Sequence, residues 1–258
     1  MNSIDKYAYK SKICDIDPKS KIVVSMVTLL ICLVMNSLWV GAAAVVIMGY
    51  EAIRCSGISI KKYIKLLMIP TVFLLIGTIT IIVNKHDITQ QLLVGIKIGE
   101  YNYGVNVNSL QYGFTLIFKA LGAVSSMYFL TLNTPMIDLF EFFRGTHLPN
   151  LIISLMELIY RFIFIISEET ENMKIAQDSR LGNLTFKSSI RSTAEMISMI
   201  FLRSYRRADR IYTALESRGY EDNVQFMKEN YKSGKKIYIT GISINIFIIA
   251  VGIIEKII

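Results

Sequence analysis

Eighteen consecutive residues, from Ile237 to Ile254, carry no charged side chain, and this run strongly constrains what the chain can fold into. An uncharged apolar stretch of that length is typical of a helix that crosses a lipid bilayer. Apolar residues make up 53% of the chain and charged residues 19%, whereas a soluble domain has about 25% charged residues. The chain is therefore predicted to be a polytopic, all-α membrane protein.

Four further apolar runs precede this one, at about 22–35, 38–53, 63–83 and 113–131. Asp17-Pro18 is typical of a helix start, with Asp as the N-cap and Pro in the first turn. Asn36-Ser37 interrupts the first long apolar stretch and predicts a turn between two short spans, with a single tilted span as the alternative. Pro70 lies inside the third span, where it removes one backbone hydrogen bond. We expect about five transmembrane helices.

The distribution of basic residues predicts the orientation of these spans. The segment before the first span contains five Lys, the 54–65 loop has a net charge of +4 and the 84–112 loop has a net charge of 0. Because basic residues concentrate in cytoplasmic loops, the N-terminus and the 54–65 loop are predicted to be cytoplasmic and the 84–112 loop external. Alternating apolar residues (Leu92, Val94, Ile96, Ile98) also indicate short paired strands in that external loop.

The net charge of +8 follows from this topology and gives no reason to expect a nucleic-acid partner. The predicted environment is the lipid bilayer of the cell membrane, and the spans exclude a soluble nucleic-acid-binding protein. Three segments are predicted: 1–132 with the N-terminal segment and spans 1–4, 133–236 as a cytoplasmic coupling-helix region, and 237–258 with the last span.

Two long helices are predicted in the 133–236 region, over about 150–180 and 188–218. Thr134-Pro135 and Leu148-Pro149 mark helix starts before them. Glu157 and Arg161 stand at i and i+4 with the acid first, the favoured order for an ion pair within a helix. Because this charged pair interrupts the apolar run 151–166, we predict that the first long helix lies along the membrane face or under the spans and does not cross the membrane.

The second long helix is amphipathic. Its apolar residues recur at spacings of three and four, which is the period of one helical face; they are Ile190, Ala194, Ile197, Phe201, Tyr205, Ala208, Tyr212 and Leu215. The other face carries a cluster of arginines (Arg203, Arg206, Arg207, Arg210). This cluster is interpreted as a solvated or lipid-headgroup face, with partner contact as the alternative.

A five-residue pattern, Ala-x-[Asp/Glu]-Ser-Arg, occurs twice, 38 positions apart, and each copy ends one of the two long helices. The copies are Ala176-Gln177-Asp178-Ser179-Arg180 and Ala214-Leu215-Glu216-Ser217-Arg218, closely followed by Gly182 and Gly219. One such Arg is explained by favourable interaction of a cation with the helix dipole. The repetition in the same context favours docking to a partner, because the planar guanidinium can bind carboxylates or carbonyls in a groove.

Two groups of candidate interface residues follow. The first, for docking, comprises Ser179, Arg180, Gly182, Ser217, Arg218 and Gly219, and Gly182 is predicted to cap its helix in a left-handed conformation. The second, for a secondary interface or ion pairs, comprises Glu157, Arg161, Arg207 and Arg210. The phosphate-binding loop of ATPases and the hydrolase motifs are absent from the sequence, and neither the three Cys nor His86 and His147 have the spacing of metal ligands. We therefore expect no catalytic, cofactor or metal site, and no enzyme activity in this chain.

The chain resembles the transmembrane coupling (T) component of energy-coupling-factor (ECF) transporters, in particular the cobalt-type CbiQ family. The resemblance covers essentially the whole chain. It rests on Ile4-Asp5-Lys6-Tyr7-Ala8-Tyr9, Asp17-Pro18-x-x-Lys21, Thr134-Pro135-Met136-x-Asp138-Leu139, Tyr160-Arg161-Phe162-Ile163-Phe164, Ala176 to Gly182, Arg207-Ala208-x-Arg210-x-Tyr212 and Ser217-Arg218-Gly219-Tyr220.

The resemblance implies a non-catalytic subunit that couples two ATPase subunits, identical or different, to a substrate-binding membrane subunit. In that family the tips of the coupling helices insert into grooves of the ATPases, which hydrolyse the ATP. By position, Arg180 and Arg218 would be the inserting arginines, and Leu181 departs from the family's usual Ala-Arg-Gly form. For a cobalt transporter, the resemblance implies a cobalt-type substrate subunit with a small accessory membrane subunit, linked to cobalamin biosynthesis. A vitamin or nickel transporter is the alternative, and a membrane enzyme acting on lipid is a remote one.

Overall fold

The computed structural model describes residues 3–82, 84–86, 94–98, 101–219 and 231–257. Its helices are α1 Ser3–Lys10, α2 Pro18–Val34, α3 Leu38–Ser56, α4 Ile60–Ile82, α5 Val107–Asn133, α6 Met136–Arg144, α7 Asn150–Ser179, α8 Phe186–Glu216 and α9 Lys235–Ile257. Short strands β1 Asn84–His86, β2 Val94–Ile98 and β3 Tyr101–Val105 pair antiparallel in the order β1-β3-β2. The all-α prediction is confirmed. The strands lie in the loop where alternating residues predicted them, although Leu92 is outside the described residues.

The first two long helices are separate, as the sequence predicts. The Asp17 carboxylate accepts a hydrogen bond from the Lys19 backbone N–H (3.0 Å), which caps the start of α2. The Ser37 hydroxyl accepts one from the Val40 backbone N–H (3.2 Å) and starts α3. The turn between them therefore gives two short helices instead of one tilted span. Helix α3 ends at Gly57, whose left-handed backbone (φ 68°) satisfies the usual C-terminal cap.

Five of the described helices are long and apolar enough to cross a membrane: α3, α4, residues 109–133 of α5, α7 and residues 235–255 of α9. The number of candidate spans agrees with the prediction, but the set of helices differs. Helix α2, with 17 residues, is at the short limit for a span, whereas α7 qualifies although it was predicted to lie along the membrane face. Because α7 qualifies by length and composition alone, its predicted place along the membrane face or under the spans stays a prediction.

The contacts divide the chain into two compact units. One consists of Asn2–Leu139 and Asn230–Ile258, here called the membrane unit, and the other of Phe140–Glu229, here called the coupling unit. Helices α7 and α8 thus belong to one unit, and α2 to α5 with α9 to the other. This division follows contacts, whereas the predicted boundaries at 132/133 and 236/237 follow the membrane topology and remain a prediction.

Small residues allow close helix packing in the membrane unit. A Cβ atom on Gly41 of α3 would lie 2.5 Å from the carbonyl of Phe118 in α5, and one on Gly122 would lie 3.1 Å from the Gly41 carbonyl oxygen. Close backbone approach at small residues is how helices associate in lipid, where no hydrophobic effect drives them together. The buried apolar residues form two clusters, one of Cys32, Val40, Ala44 and Ile248 and one of Met48, Ala52, Ile58, Tyr63, Phe129 and Leu132.

Hydrogen bonds between helices add specificity to this packing. The Ser25 hydroxyl of α2 donates to the Ser126 carbonyl of α5 (2.7 Å), and the Ser126 hydroxyl donates back to the Ser25 carbonyl (2.5 Å). The Thr28 hydroxyl lies 2.8 Å from the Asn245 side-chain oxygen of α9. All four side chains are buried, so these bonds fix which faces of α2, α5 and α9 meet.

A fully buried lysine caps the end of one helix in the membrane unit. Lys21 is 0% exposed, and its ammonium group donates to the backbone carbonyls of Ile13 (3.0 Å), Cys14 (3.3 Å) and Asn133 (3.3 Å). The Asn133 carbonyl is among the last of α5, a group that has no partner within its own helix. Lys21 therefore caps α5 and joins it to α2 and to the segment before α2, which explains the Lys in Asp17-Pro18-x-x-Lys21.

Candidate functional site

The first arginine tip is a complete helix C-cap. After Ser179, the backbone N–H of Leu181 donates to the Asp178 carbonyl (3.0 Å) and that of Gly182 donates to the Gln177 carbonyl (2.9 Å). These two bonds define a Schellman motif, in which the residue after the cap takes the left-handed conformation. Here that residue is Leu181, with φ 58°.

The prediction that Gly182 adopts the left-handed conformation is wrong, because Leu181 is the residue with positive φ. Gly182 is required for a different reason. A Cβ atom there would lie 2.9 Å from the Ser192 hydroxyl and 3.1 Å from the Gln177 carbonyl oxygen. The Gly182 carbonyl also accepts a hydrogen bond from the Ser192 hydroxyl at 2.9 Å. Gly182 therefore allows the turn to pack closely against the beginning of α8.

The second tip shares one of these two hydrogen bonds and the left-handed residue. The Gly219 backbone N–H donates to the Glu216 carbonyl (3.0 Å), and Gly219 is left-handed with φ 72°. Gly219 thus corresponds to Leu181, and Arg218 corresponds to Arg180 at the residue just before the left-handed one. The matched placement of the two arginines that the sequence repeat predicts is present in the backbone.

The serines of the two tips also match. The Ser179 hydroxyl donates to the Ile175 carbonyl (2.9 Å), and the Ser217 hydroxyl donates to the Thr213 carbonyl (2.7 Å). Each hydroxyl is satisfied within its own helix, so neither serine needs a partner. Arg180 and Arg218 are both exposed. Each tip therefore presents a guanidinium group from a backbone that is already capped.

Helix α8 holds the two tips apart. The first tip contacts α8 near its start, where the Gln177 side-chain amide donates to the Ser192 carbonyl (2.8 Å). Arg218 follows the end of the same helix, which spans Phe186–Glu216 and has 31 residues. At 1.5 Å per residue, the contact with the first tip and Arg218 are separated by roughly 40 Å along α8. This arrangement suits two separate binding sites better than one.

An ion pair joins the two helices at equivalent positions. Arg207 of α8 donates to Glu169 of α7, and each residue lies 11 positions before the arginine of its own tip. Arg207 is therefore an ion-pair residue, as the second group of candidates allowed, and not simply part of a solvated face. Arg210 is exposed. Sequence reasoning missed Glu169 and Gln177, although the 38-residue repeat relates position 169 to position 207.

Glu157 has a different partner from the one predicted. The Arg144 guanidinium donates to both carboxylate oxygens of Glu157, at 2.9 and 3.0 Å, whereas Arg161 interacts with that carboxylate electrostatically. The pair fastens the end of α6 to α7 within the coupling unit. Arg144 has no periodic relation to Glu157, so the sequence contained no signal for this contact.

The coupling unit exposes a large apolar surface. Helix α8 has no buried residue among those described, and its predicted apolar face is open, with Phe201 72% and Tyr205 68% exposed. Apolar side chains also surround the first tip, where Leu184 is 72% and Phe186 85% exposed. Contiguous exposed apolar surface of this kind marks contact with lipid or with another protein.

The described residues contain no group of three or more His, Cys, Asp or Glu side chains that could hold a metal ion. The chemistry available at the tips is recognition by exposed guanidinium groups and apolar side chains. Exposed arginines next to large apolar residues are typical of the residues that dominate binding at protein interfaces.

Comparison with known proteins identifies the family. The family model described as cobalt transport protein, CbiQ, matches residues 9–227. The cobalt transport protein CbiQ of Salmonella typhimurium is 27% identical over 221 residues, which cover 86% of this chain and 98% of that protein. The ECF transporter transmembrane protein EcfT of Thermosediminibacter oceani is 26% identical over 246 residues, 90% of this chain and 87% of the relative.

A third relative is a fusion. The putative fused cobalt transport protein CbiMQ of Methanocorpusculum labreanum is 30% identical over 175 residues, which cover 68% of this chain but only 29% of the relative. The family match covers most of the chain and both arginine tips. This multi-pass membrane protein, with its two matched helix tips, belongs to the CbiQ family of cobalt transport proteins.

Proposed function

We propose that this chain is the non-catalytic coupling subunit of an ECF-type importer that takes up cobalt ions. It transmits the ATP-driven motion of two ATPase subunits to a substrate-binding membrane subunit. The observation that carries this proposal is the pair of capped tips, each presenting an exposed arginine, separated along α8 by roughly 40 Å. Two matched sites, one at the end of α7 and one at the end of α8, suit two copies of an ATPase subunit, or two similar subunits.

Each tip is suited to enter a groove of a partner. Arg180 and Arg218 offer five N–H donors in a plane, which match carboxylates and backbone carbonyls. Because the capped backbone is already ordered, docking orders little more than the arginine side chain itself, which lowers the entropic cost of binding. The exposed Leu184 and Phe186 add apolar contact area beside the first tip.

The exposed apolar face of α8 is proposed to contact the substrate-binding membrane subunit and lipid. The fused relative supports a partner of this kind, since there a chain similar to this one is joined to a further segment in one cobalt transport protein. Cobalt as the substrate is supported by the family and by the name of the Salmonella relative. The ion is proposed to bind the partner subunit, and this chain is proposed to supply neither a metal site nor ATP hydrolysis. The N-terminus and the coupling unit are proposed to lie in the cytoplasm.

The double variant Arg180→Glu/Arg218→Glu tests the coupling role. We expect normal insertion into the membrane, loss of the co-purifying ATPase and loss of radioactive cobalt uptake, because two charge reversals oppose binding at both grooves. Arg203→Glu is the matched control, since Arg203 is an exposed arginine in the middle of α8, between Ser192, which contacts the first tip, and Arg218. Normal uptake by the double variant would refute the proposal.

Purification of the tagged chain from its native membranes tests the partners and the substrate. We expect mass spectrometry to find an ATPase together with a cobalt-type membrane subunit. Recovery of the ATPase with vitamin-binding or nickel-type subunits would retain the mechanism and replace the substrate. Absence of any ATPase from the purified complex would contradict the coupling role.

A further inference from the structure

The membrane unit contains a cavity of about 400 Å³ between α2, α3, α5 and α9 and the segment that follows α1. This volume falls in the range of about 300–1,000 Å³ that is typical of small-molecule sites. No part of the proposed coupling mechanism uses this cavity, and its lining changes in character from one end to the other.

One end of the cavity is cationic. Lys12 follows α1, Arg54 lies in the last turn of α3 and Lys236 lies in the first turn of α9, and all three are exposed and line the cavity. Among the described lining residues Glu51 is the single acid, and it lies 3.6 Å from Arg54. Three cations and one carboxylate leave a net charge of +2 at this end. Asp15 does not reduce it, because Lys232 already binds that carboxylate at 3.3 Å.

The other end is apolar and belongs to the packed interior. Met48 is 1% and Val24 5% exposed, and Ile244 lies with them in the lining. Met48 precedes Arg54 by six residues and Ile244 follows Lys236 by eight, so the apolar floor lies roughly 9–12 Å from the cations along the helices. A molecule that fills the cavity must therefore be anionic at one end and apolar at the other.

We propose that this cavity binds one anionic phospholipid, with its phosphate between Lys12, Arg54 and Lys236 and the beginning of an acyl chain on the apolar floor. The excess of basic residues predicts that this end of the helices faces the cytoplasm, where the leaflet carries anionic lipid. Basic pockets between transmembrane helices on that side bind anionic headgroups. A soluble phosphate compound would leave the floor empty, and a zwitterionic lipid would leave the cations without a net countercharge. The proposal does not depend on the transport function.

The test is lipid binding to the purified full-length chain in detergent, measured by native mass spectrometry and by the thermal midpoint. The probes are phosphatidylglycerol, phosphatidylcholine and glycerol 3-phosphate. We expect phosphatidylglycerol to bind at one copy per chain and to raise the thermal midpoint more than the other two. In the variant Lys12→Gln/Arg54→Gln/Lys236→Gln, affinity should fall by roughly fivefold for each cation removed, about 100-fold in all.

The matched control is Lys19→Gln/Lys61→Gln/Lys65→Gln, which removes three exposed cations that do not line the cavity. It should retain phosphatidylglycerol. Equal binding of phosphatidylcholine, equal binding of glycerol 3-phosphate, or equal loss in the control would overturn the proposal. If the triple variant does not fold, Thr240→Phe decides, because it fills the cavity without changing its charge. Thr240→Phe should exclude the lipid, and unchanged binding by that variant would also contradict the proposal.

Discussion

Replacement of Leu181 by glycine should stabilise the first arginine tip, although it removes a side chain. Leu181 has φ 58° and its side chain is 65% exposed, so little packing is lost. A left-handed conformation costs a non-glycine residue about 1–2 kcal/mol. Glycine avoids that cost but loses about 0.5–1 kcal/mol through its greater freedom in the opened state. The net gain is about 0.5–1 kcal/mol, which corresponds to a two- to fivefold change in the local opening equilibrium.

Hydrogen exchange measures this opening directly. The reporters are the backbone amides of residues 181 and 182, which donate to the carbonyls of Asp178 and Gln177. After correction for intrinsic rates, both amides should exchange two- to fivefold more slowly in Leu181→Gly. The reciprocal change Gly219→Leu should accelerate exchange of the residue 219 amide, which donates to Glu216.

Gly57→Leu provides the control for the backbone cost. Gly57 has φ 68°, and a Cβ atom there would meet nothing within 4 Å, so this variant reports left-handed strain without a steric clash. Its effect should equal that of Gly219→Leu, which has φ 72° and is equally unobstructed. Unchanged or faster exchange at residues 181 and 182 in Leu181→Gly would refute the assignment of the strain to Leu181.

Further variants test one contact within each unit. Lys21→Met should lower the thermal midpoint of the detergent-solubilised chain by several degrees, because each buried carbonyl left without a donor costs about 1–3 kcal/mol. The control is Lys19→Met, which changes an exposed lysine of the same helix. Equal midpoints for the two variants would contradict the capping role of Lys21. Glu169→Arg and Arg207→Glu should each destabilise the coupling unit, by about 1 kcal/mol for a half-buried pair, and the double exchange should restore most of the loss. Additive losses in the double variant, measured by hydrogen exchange of α7 and α8, would mean that the pair contributes nothing.

The sequence predicted the helices well because their signals are local. Asp17-Pro18, Asn36-Ser37 and Leu148-Pro149 fix starts and turns through residues that are adjacent in the chain, and the observed helices begin where these signals lie. The two arginine tips were found for the same kind of reason, since each is a short string in a repeated capping context. Local signals of this type need no knowledge of which helices pack together.

The errors arise where tertiary contact decides. Glu157 was expected to pair with Arg161 of its own helix, but the partner of that carboxylate is Arg144, on another helix and 13 positions away. Gly182 was predicted to take the left-handed conformation because it is a glycine at the end of the helix, whereas the hydrogen bonds place that conformation one residue earlier, at Leu181. The carbonyl cage around Lys21 joins residues up to 112 positions apart, and no periodicity reports such a contact.

Helix α8 has the sequence pattern of an ordinary amphipathic helix, but its apolar face is not buried. An amphipathic pattern normally predicts a face packed on the protein's own core. Here that face is largely exposed, with Phe201 72% and Tyr205 68% exposed, while the half-buried side of α8 contains Arg207 and its bond to Glu169. The pattern therefore reports a surface that is completed outside this chain, by lipid or by another subunit. A helix fastened to its own unit through an ion pair and a turn, with its apolar face exposed, can change its contacts without unfolding a core, which suits the coupling role proposed for it.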